Sequence, residues 1–230
     1  MQLPEHIDTT DIRAADGVYM LLVNDEPLHT PKGHPVLMSS WDLANAMADE
    51  LMADGVLDLQ RQTLYVLYAT QRDFIVDRLD ATISAILQHL PGDFELHPDP
   101  DPALAALQLA AWAPLLAFLR DLGPEVPMAR PLQDIRMPWE LVESVRTHLM
   151  AMSPAQLTVV LQAVTNLGSV ILGILLAQQS LEVEKAVSAL TVTARHLAKH
   201  AREEPEQMEI FSAQTEEMVR RLLRYVRFSA

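Results

Sequence analysis

From Leu149 to Leu181 the chain carries no charged residue. Within this run, Leu157 to Ala177 reaches the ~20 residues that a helix needs to cross a bilayer. A membrane span and a buried core helix, or a pair of them, are the two ways to satisfy such a stretch. Thr158, Gln162, Thr165, Asn166 and Ser169 interrupt it on several faces. No aromatic residue stands at either end, and flanking Lys and Arg are sparse. These features favour one or two helices buried in a protein core. Gly168 and Gly173 then permit close helix packing, although their spacing is not that of a Gly-x-x-x-Gly motif. Half of the residues are apolar, so there is material for a sizeable core.

Outside that run the chain is acidic, with a formal net charge of −14. Such a surface repels phosphate backbones and anionic membranes, which disfavours a nucleic-acid partner and an anionic membrane surface, and the interrupted run above argues against stable membrane insertion. The absence of cysteine removes disulfides, thiolate nucleophiles and Cys-based zinc sites together. Met1 to Ala15 carries Glu5, Asp8 and Asp11 and no apolar h-region. It reads neither as a signal peptide nor as a transit peptide, so a bacterial cytoplasm is the expected location.

Residues 1–60 differ in pattern from the rest. Gly17 to Val23 is rich in β-formers and leads into Asn24-Asp25, a pair that tolerates left-handed backbone and closes tight turns. Glu26 to His29 and His34 to Met38 read as short strands on either side of the Thr30-Pro31-Lys32-Gly33 turn. Ser40 then caps a helix with an apolar stripe at Leu43, Ala44, Met47, Ala48 and Leu51, which stops at Asp54-Gly55. From residue 61 to 230 the spacing is helical almost throughout. Leu57 to Ala69, Asp73 to Leu90, Ala103 to Leu122 with a break at Pro114, Pro138 to Met152, an apolar helix opened by Ser153-Pro154, Leu181 to His200 and Gln214 to Phe228 all read as helices. The prolines between Gly123 and Met137 mark a loop. The predicted fold class is α+β: a small antiparallel β part with a helix over 1–60, then a larger all-helical domain over 61–230.

Little in the chain points to catalysis. Thr30-Pro31-Lys32-Gly33-His34 lacks the spacing and the Lys-Ser/Thr ending of a phosphate loop. His196 and His200 share a helix face, but Leu197, Ala198 and Lys199 intervene where a zinc motif needs a Glu, and a solvated face is expected. His29 and His34 read as two exposed histidines beside a turn. Asp93, Glu95, Asp99 and Asp101 lie near a proline-rich loop that breaks the calcium-loop pattern, so a solvated acidic loop is expected. Arg220, Arg221, Arg224 and Arg227 read either as the end of a docked terminal helix or as a basic patch for an acidic partner.

Several motifs, in order, resemble those of the F1-ATPase assembly chaperones that bind the α subunit. Asn24 to Pro31 is similar to that family's Asp-Gly-Arg-Pro-Leu-Lys-Thr-Pro hairpin. Leu43 to Leu51 resembles its Leu-Ala-x-Ala-Ile-Ala-x-Glu-Trp helix, and Asp93 stands at its Thr-Asp segment. Trp112-Ala113-Pro114-Leu115 resembles Trp-Asp-Pro-Leu, and Leu167 to Leu172 its Gly-Ser-x-x-Leu helix. The departures concern charge. Leu190 to Arg195 stands where the family has Leu-Asp-Glu-x-x-Gln, so Thr191 and Val192 replace two acids, and Glu26 and His29 replace the hairpin's Arg and Lys.

The resemblance implies a β-containing N-terminal part on a helical C-terminal part. It also implies a chaperone for the free α subunit, with no enzymatic activity and no cofactor, here read as a monomer. It places partner-binding positions at Thr30, Pro31, Glu50, Asp93, Trp112, Thr191 and Val192. Trp41, which opens a helix, is added as an aromatic that could meet a client. The lost acids leave room for another reading, a protein-binding module of the same fold with a different client.

Overall fold

The computed structural model describes residues 4, 6–59, 63–123, 126–129, 135–201 and 205–229. The fold is α+β, with a small antiparallel sheet followed by helices. It divides into two compact units, Met1–Leu79 with Arg224–Ala230, and Asp80–Leu223.

In the first unit, β2 (Val18–Val23) is the central strand. β1 (Thr10–Ala15) pairs along one edge of it, and the short β3 (Glu26–Pro27) and β4 (Leu37–Met38) share the other. Asn24 and Asp25 both take positive φ, 51° and 66°, the left-handed pair that matches strand twist in a two-residue hairpin. The Asn24 side chain adds a second role. Its Oδ1 accepts the Asp8 and Thr9 N–H groups and its Nδ2 donates to the His6 carbonyl, tying down the segment that enters β1. Strand β1 is not evident in the sequence, because its residues are mostly exposed and only Thr10 and Ile12 are half-buried. The expected strands over Glu26–His29 and His34–Met38 are shorter than their β-like composition suggests, and a single bridge joins His29 to Pro35.

Helix α1 (Trp41–Asp54) follows its pattern. Ser40 Oγ accepts the Leu43 N–H, Gly55 closes it at φ 64°, and Leu43, Ala44, Met47, Ala48 and Leu51 are buried. Helix α2 (Leu64–Thr70) starts later than the expected Leu57, and residues 60–62 of that expectation lie outside the described residues. A π-helical turn over Gln71–Ile75 extends it, so the helix expected from Asp73 to Leu90 is split, and α3 is Leu79–His89.

In the second unit, α4 (Pro102–Ala111) is capped by Asp101 and ends at Trp112, where α5 (Ala113–Leu122) leaves at 69°. Pro114 in the first turn of α5 explains the break, since it cannot donate back to α4. Of the proline loop between Gly123 and Met137, Pro124 and Pro131 lie outside the described residues. Helix α6 is Trp139–Met150. The uncharged run becomes two helices, α7 (Pro154–Leu167) and α8 (Val170–Ala177). Ser153 and Gln156 form a reciprocal capping box at the start of α7. Gly168 at φ 75° ends α7 and Ser169 caps α8, every residue of which is buried. Helices α9 (Val183–Ala201) and α10 (Pro205–Phe228) follow, the latter starting before the expected Gln214. Among the described residues no single helix is long and apolar enough to cross a membrane, and only α4 and α5 together, bent as they are, match by length and composition.

The arginines of α10 are largely engaged within the helix. Arg220 and Arg221 pair with Glu216 and Glu217 one turn back, and Arg224 lies over the Phe228 ring. Of the four arginines, Arg220 and Arg221 are balanced by carboxylates of their own helix, which weakens the basic-patch reading.

Candidate functional site

The expected partner-binding positions fall into two groups by burial. Thr30, Asp93, Trp112 and Thr191 are buried, while Pro31 and Trp41 are exposed and Glu50 and Val192 are half-buried. The buried four each hold local structure.

Thr30 belongs to a cradle in the first unit. The Thr30–His34 turn wraps the carboxylate of Asp73, which sits on the π-helical turn. Asp73 accepts the Thr30 hydroxyl at 2.6 Å, the Lys32 N–H at 3.1 Å and lies 2.8 Å from His34 Nδ1. Lys32 Nζ donates to the Asp73 carbonyl at 2.7 Å and stands over the Phe74 ring. Burial opposes ionisation of Asp73, but the hydrogen bonds from Thr30, His34 and Lys32 outweigh it and hold the carboxyl below its ordinary value. The turn thus surrounds an anion, and that anion is internal. His29 and His34 do not act together, since His29 Nδ1 faces the Pro27 carbonyl at 2.7 Å. Glu50 accepts the Leu64 N–H at 2.6 Å, completing with Thr63 the cap of α2. Trp41 is half-exposed with its ring edge against Tyr19.

Asp93 holds the corresponding position in the second unit. Its carboxylate accepts the Val170 and Ile171 N–H groups at 2.9 and 3.0 Å and the Ser169 hydroxyl at 3.0 Å, which caps the buried start of α8. Ser169 Oγ lies 3.1 Å from Glu95 Oε1 and accepts the Leu172 N–H. The hydroxyl has one proton and gives it to Asp93, so the contact with Glu95 is a hydrogen bond only if Glu95 donates. Glu95 is fully buried, and its Oε2 has no partner among the described residues. Burial, then the charge of Asp93, pushes the Glu95 carboxyl well above the ordinary range. Burial also raises Asp93, against the hydrogen bonds it accepts. The expectation of a solvated loop is therefore overturned for Asp93 and Glu95, which are core residues. It holds only for Asp99 and Asp101, which stay near the surface, where Asp101 caps α4.

This pair carries a pH prediction. A carboxyl whose folded value is raised contributes stability that is fully present below its unfolded value and is lost as pH rises through the folded one. Each unit of separation is ~1.4 kcal/mol. The native protein should therefore lose stability relative to Glu95→Gln as pH rises from about 5 to about 8, measured by urea unfolding at each pH. Parallel pH profiles for the two proteins would show that Glu95 is ionised in the native state at all these values.

Trp112 links α4 to α9. Its Nε1 donates to the Ala189 carbonyl at 3.1 Å, and its ring lies 5.5 Å from Phe94, next to Asp93. One turn away, Gln108 Nε2 donates to Thr193 Oγ1 at 2.9 Å. Thr191 bonds back to the Val187 carbonyl and faces the core, while Val192 faces a groove of about 390 Å³ lined with Leu107, Ser188, Arg195, His196 and Lys199. Of the pair His196 and His200, the His200 side chain lies outside the described residues. The sequence hid Glu95 and the groove alike, since both depend on which elements meet.

No protein-family model matches this sequence, and no curated protein does. Solved structures do. Atp12 from Paracoccus denitrificans superposes with a TM-score of 0.80 over 98% of this chain and 99% of that chain, at 20% identity. The chain has the Atp12 fold. A mutant of the Paracoccus Atp12 gives 0.79 at 19% identity, with 98% of both chains covered. A candidate chaperone from Agrobacterium tumefaciens gives 0.81 at 23% identity, over 96% of this chain and 84% of that one.

Proposed function

We propose that this chain is an assembly chaperone for the F1 sector of ATP synthase that binds the free α subunit. It acts by covering a subunit surface until its proper neighbour arrives, without catalysis and without a cofactor, as a monomer in a bacterial cytoplasm. The observation that carries this reading is the end-to-end likeness to Atp12 of Paracoccus denitrificans. The order of the hairpin, helix and Trp-x-Pro-Leu motifs supports it independently. Pro31, Glu50 and Val192 at the family positions, and Trp41, reach the surface and so can touch a client directly. Thr30, Asp93, Trp112 and Thr191 act through the shape they impose.

One observation favours a second reading, a module of the same fold with another client. Thr191 and Val192 stand where the family carries acids, and the neighbouring side chains Arg195 and Lys199 are basic. Co-purification with the α and β subunits of the same genome, expressed separately, decides between them. Selective capture of α is the expected result. Capture of neither subunit by the folded protein would remove the F1 assignment.

A further inference from the structure

We infer that the groove between α4 and α9 docks an acidic, amphipathic helix of a client protein; this rests on the proposed function only in taking the occupant to be a protein. Helix α4 has no charged residue, and Ala103, Ala106, Leu107 and Ala110, which share one face, are all exposed on it. Leu107 is 49% exposed and lines the groove with Val192 of α9. From Ala103 to Ala110 this face presents an apolar strip of about 10 Å, which matches about two turns of a docked helix better than a small anion. The strip is bordered by cations. From Ala186 to Ala201, α9 contains no acidic residue, and Arg195 and Lys199 are exposed beside the groove with no ion-pair partner among the described residues. In a chain of net charge −14 this is a local reversal of sign. The neighbouring cavity, which also takes Arg195 into its lining, differs in that Glu209 and Glu216 line it. The Gln108–Thr193 and Trp112–Ala189 hydrogen bonds fix α4 against α9, so the groove is formed before anything binds. An apolar strip with a basic edge complements a helix whose apolar face is flanked by Asp and Glu.

The test uses the full chain and two labelled synthetic peptides of about four helical turns, one Glu/Leu and one Lys/Leu, followed by fluorescence anisotropy. The Glu/Leu peptide should bind at least about tenfold more tightly than its Lys/Leu counterpart. Arg195→Glu with Lys199→Glu should weaken it about tenfold or more, and Leu107→Ser should weaken it without changing its salt dependence. These side chains are exposed, and circular dichroism verifies the folding of each variant. Equal binding of the two peptides, or unchanged binding by the charge-reversed variant, overturns the inference. So does displacement of the peptide by inorganic phosphate at millimolar concentration, which would mark a small-anion site. Peptide binding with no capture of α would sink the proposed client alone. Capture of α by native and charge-reversed proteins alike, with no peptide preference, would sink the groove alone.

Discussion

Replacing Asp93 by alanine should cost about 3–5 kcal/mol of stability, the range for removing one partner from a buried ionic network. Three donors lose their acceptor at once: the Val170 and Ile171 N–H groups and the Ser169 hydroxyl. Each unsatisfied buried group costs about 1–3 kcal/mol. Helix α8 is buried all round, so water has no easy route to replace the carboxylate. Against a typical total of about 5–15 kcal/mol, the loss is about a fifth or more of what holds a domain together. Urea unfolding followed by far-ultraviolet circular dichroism measures it. Asp93→Asn keeps one carbonyl oxygen for the helix terminus and should fall between alanine and the native protein.

Glu95→Gln separates the roles of the two acids. If Glu95 is the proton donor to Ser169, an amide can donate in its place, so the change should be within about 1 kcal/mol at about pH 5 and should increasingly favour Glu95→Gln as pH rises. A loss as large as that of Asp93→Ala would mean that Glu95 is ionised and that its charge is needed.

These two residues also show where sequence reading ends. Asp93 and Glu95 lie beside a proline-rich stretch, and acidic residues there usually face water. Their burial is decided by Ser169, 76 residues further on, whose helix start arrives at the same point. No local pattern contains that information. The same limit applies to Asp73, which caps no helix in the sequence but is enclosed by a turn 41 residues earlier. Features set by short-range chemistry were legible. Asn24-Asp25 takes the left-handed pair its composition favours, and Ser40, Ser153 and Gly55 cap as expected. The uncharged run was legible as core, and Gly168 with Ser169 divides it. Strand β1 was not, because an exposed edge strand needs no apolar alternation. The π-helical turn at Gln71–Ile75 was not either, since it continues a helical pattern while freeing the Asp73 carbonyl for Lys32.

Gly173 offers the other large effect, and there two opposing forces can be compared. Alanine in the middle of a helix gains about 1 kcal/mol over glycine, so an unconstrained site would be stabilised. At Gly173 an added methyl would lie 3.0 Å from Ala163 Cβ, 3.0 Å from Val160 Cα and 3.1 Å from the Val160 carbonyl oxygen. Two of these atoms are backbone and the third is a methyl without rotamers, so relief requires α7 and α8 to move apart. Overpacking of this kind costs about 1–3 kcal/mol, and more for a larger side chain. Gly173→Ala should therefore destabilise slightly or break even, despite its better propensity, and Gly173→Leu should cost about 3 kcal/mol or more. Ala163→Gly should rescue part of the Gly173→Ala loss, with a favourable coupling of about 0.5–1 kcal/mol in a double-mutant cycle measured by urea unfolding. Additive effects would mean that Val160 alone sets the approach of α8 to α7, since its backbone stays when the Ala163 methyl is removed. A stabilising Gly173→Ala would mean that the two helices have room to spare, and that the close contact is not what places Ser169, and with it Asp93, in the core.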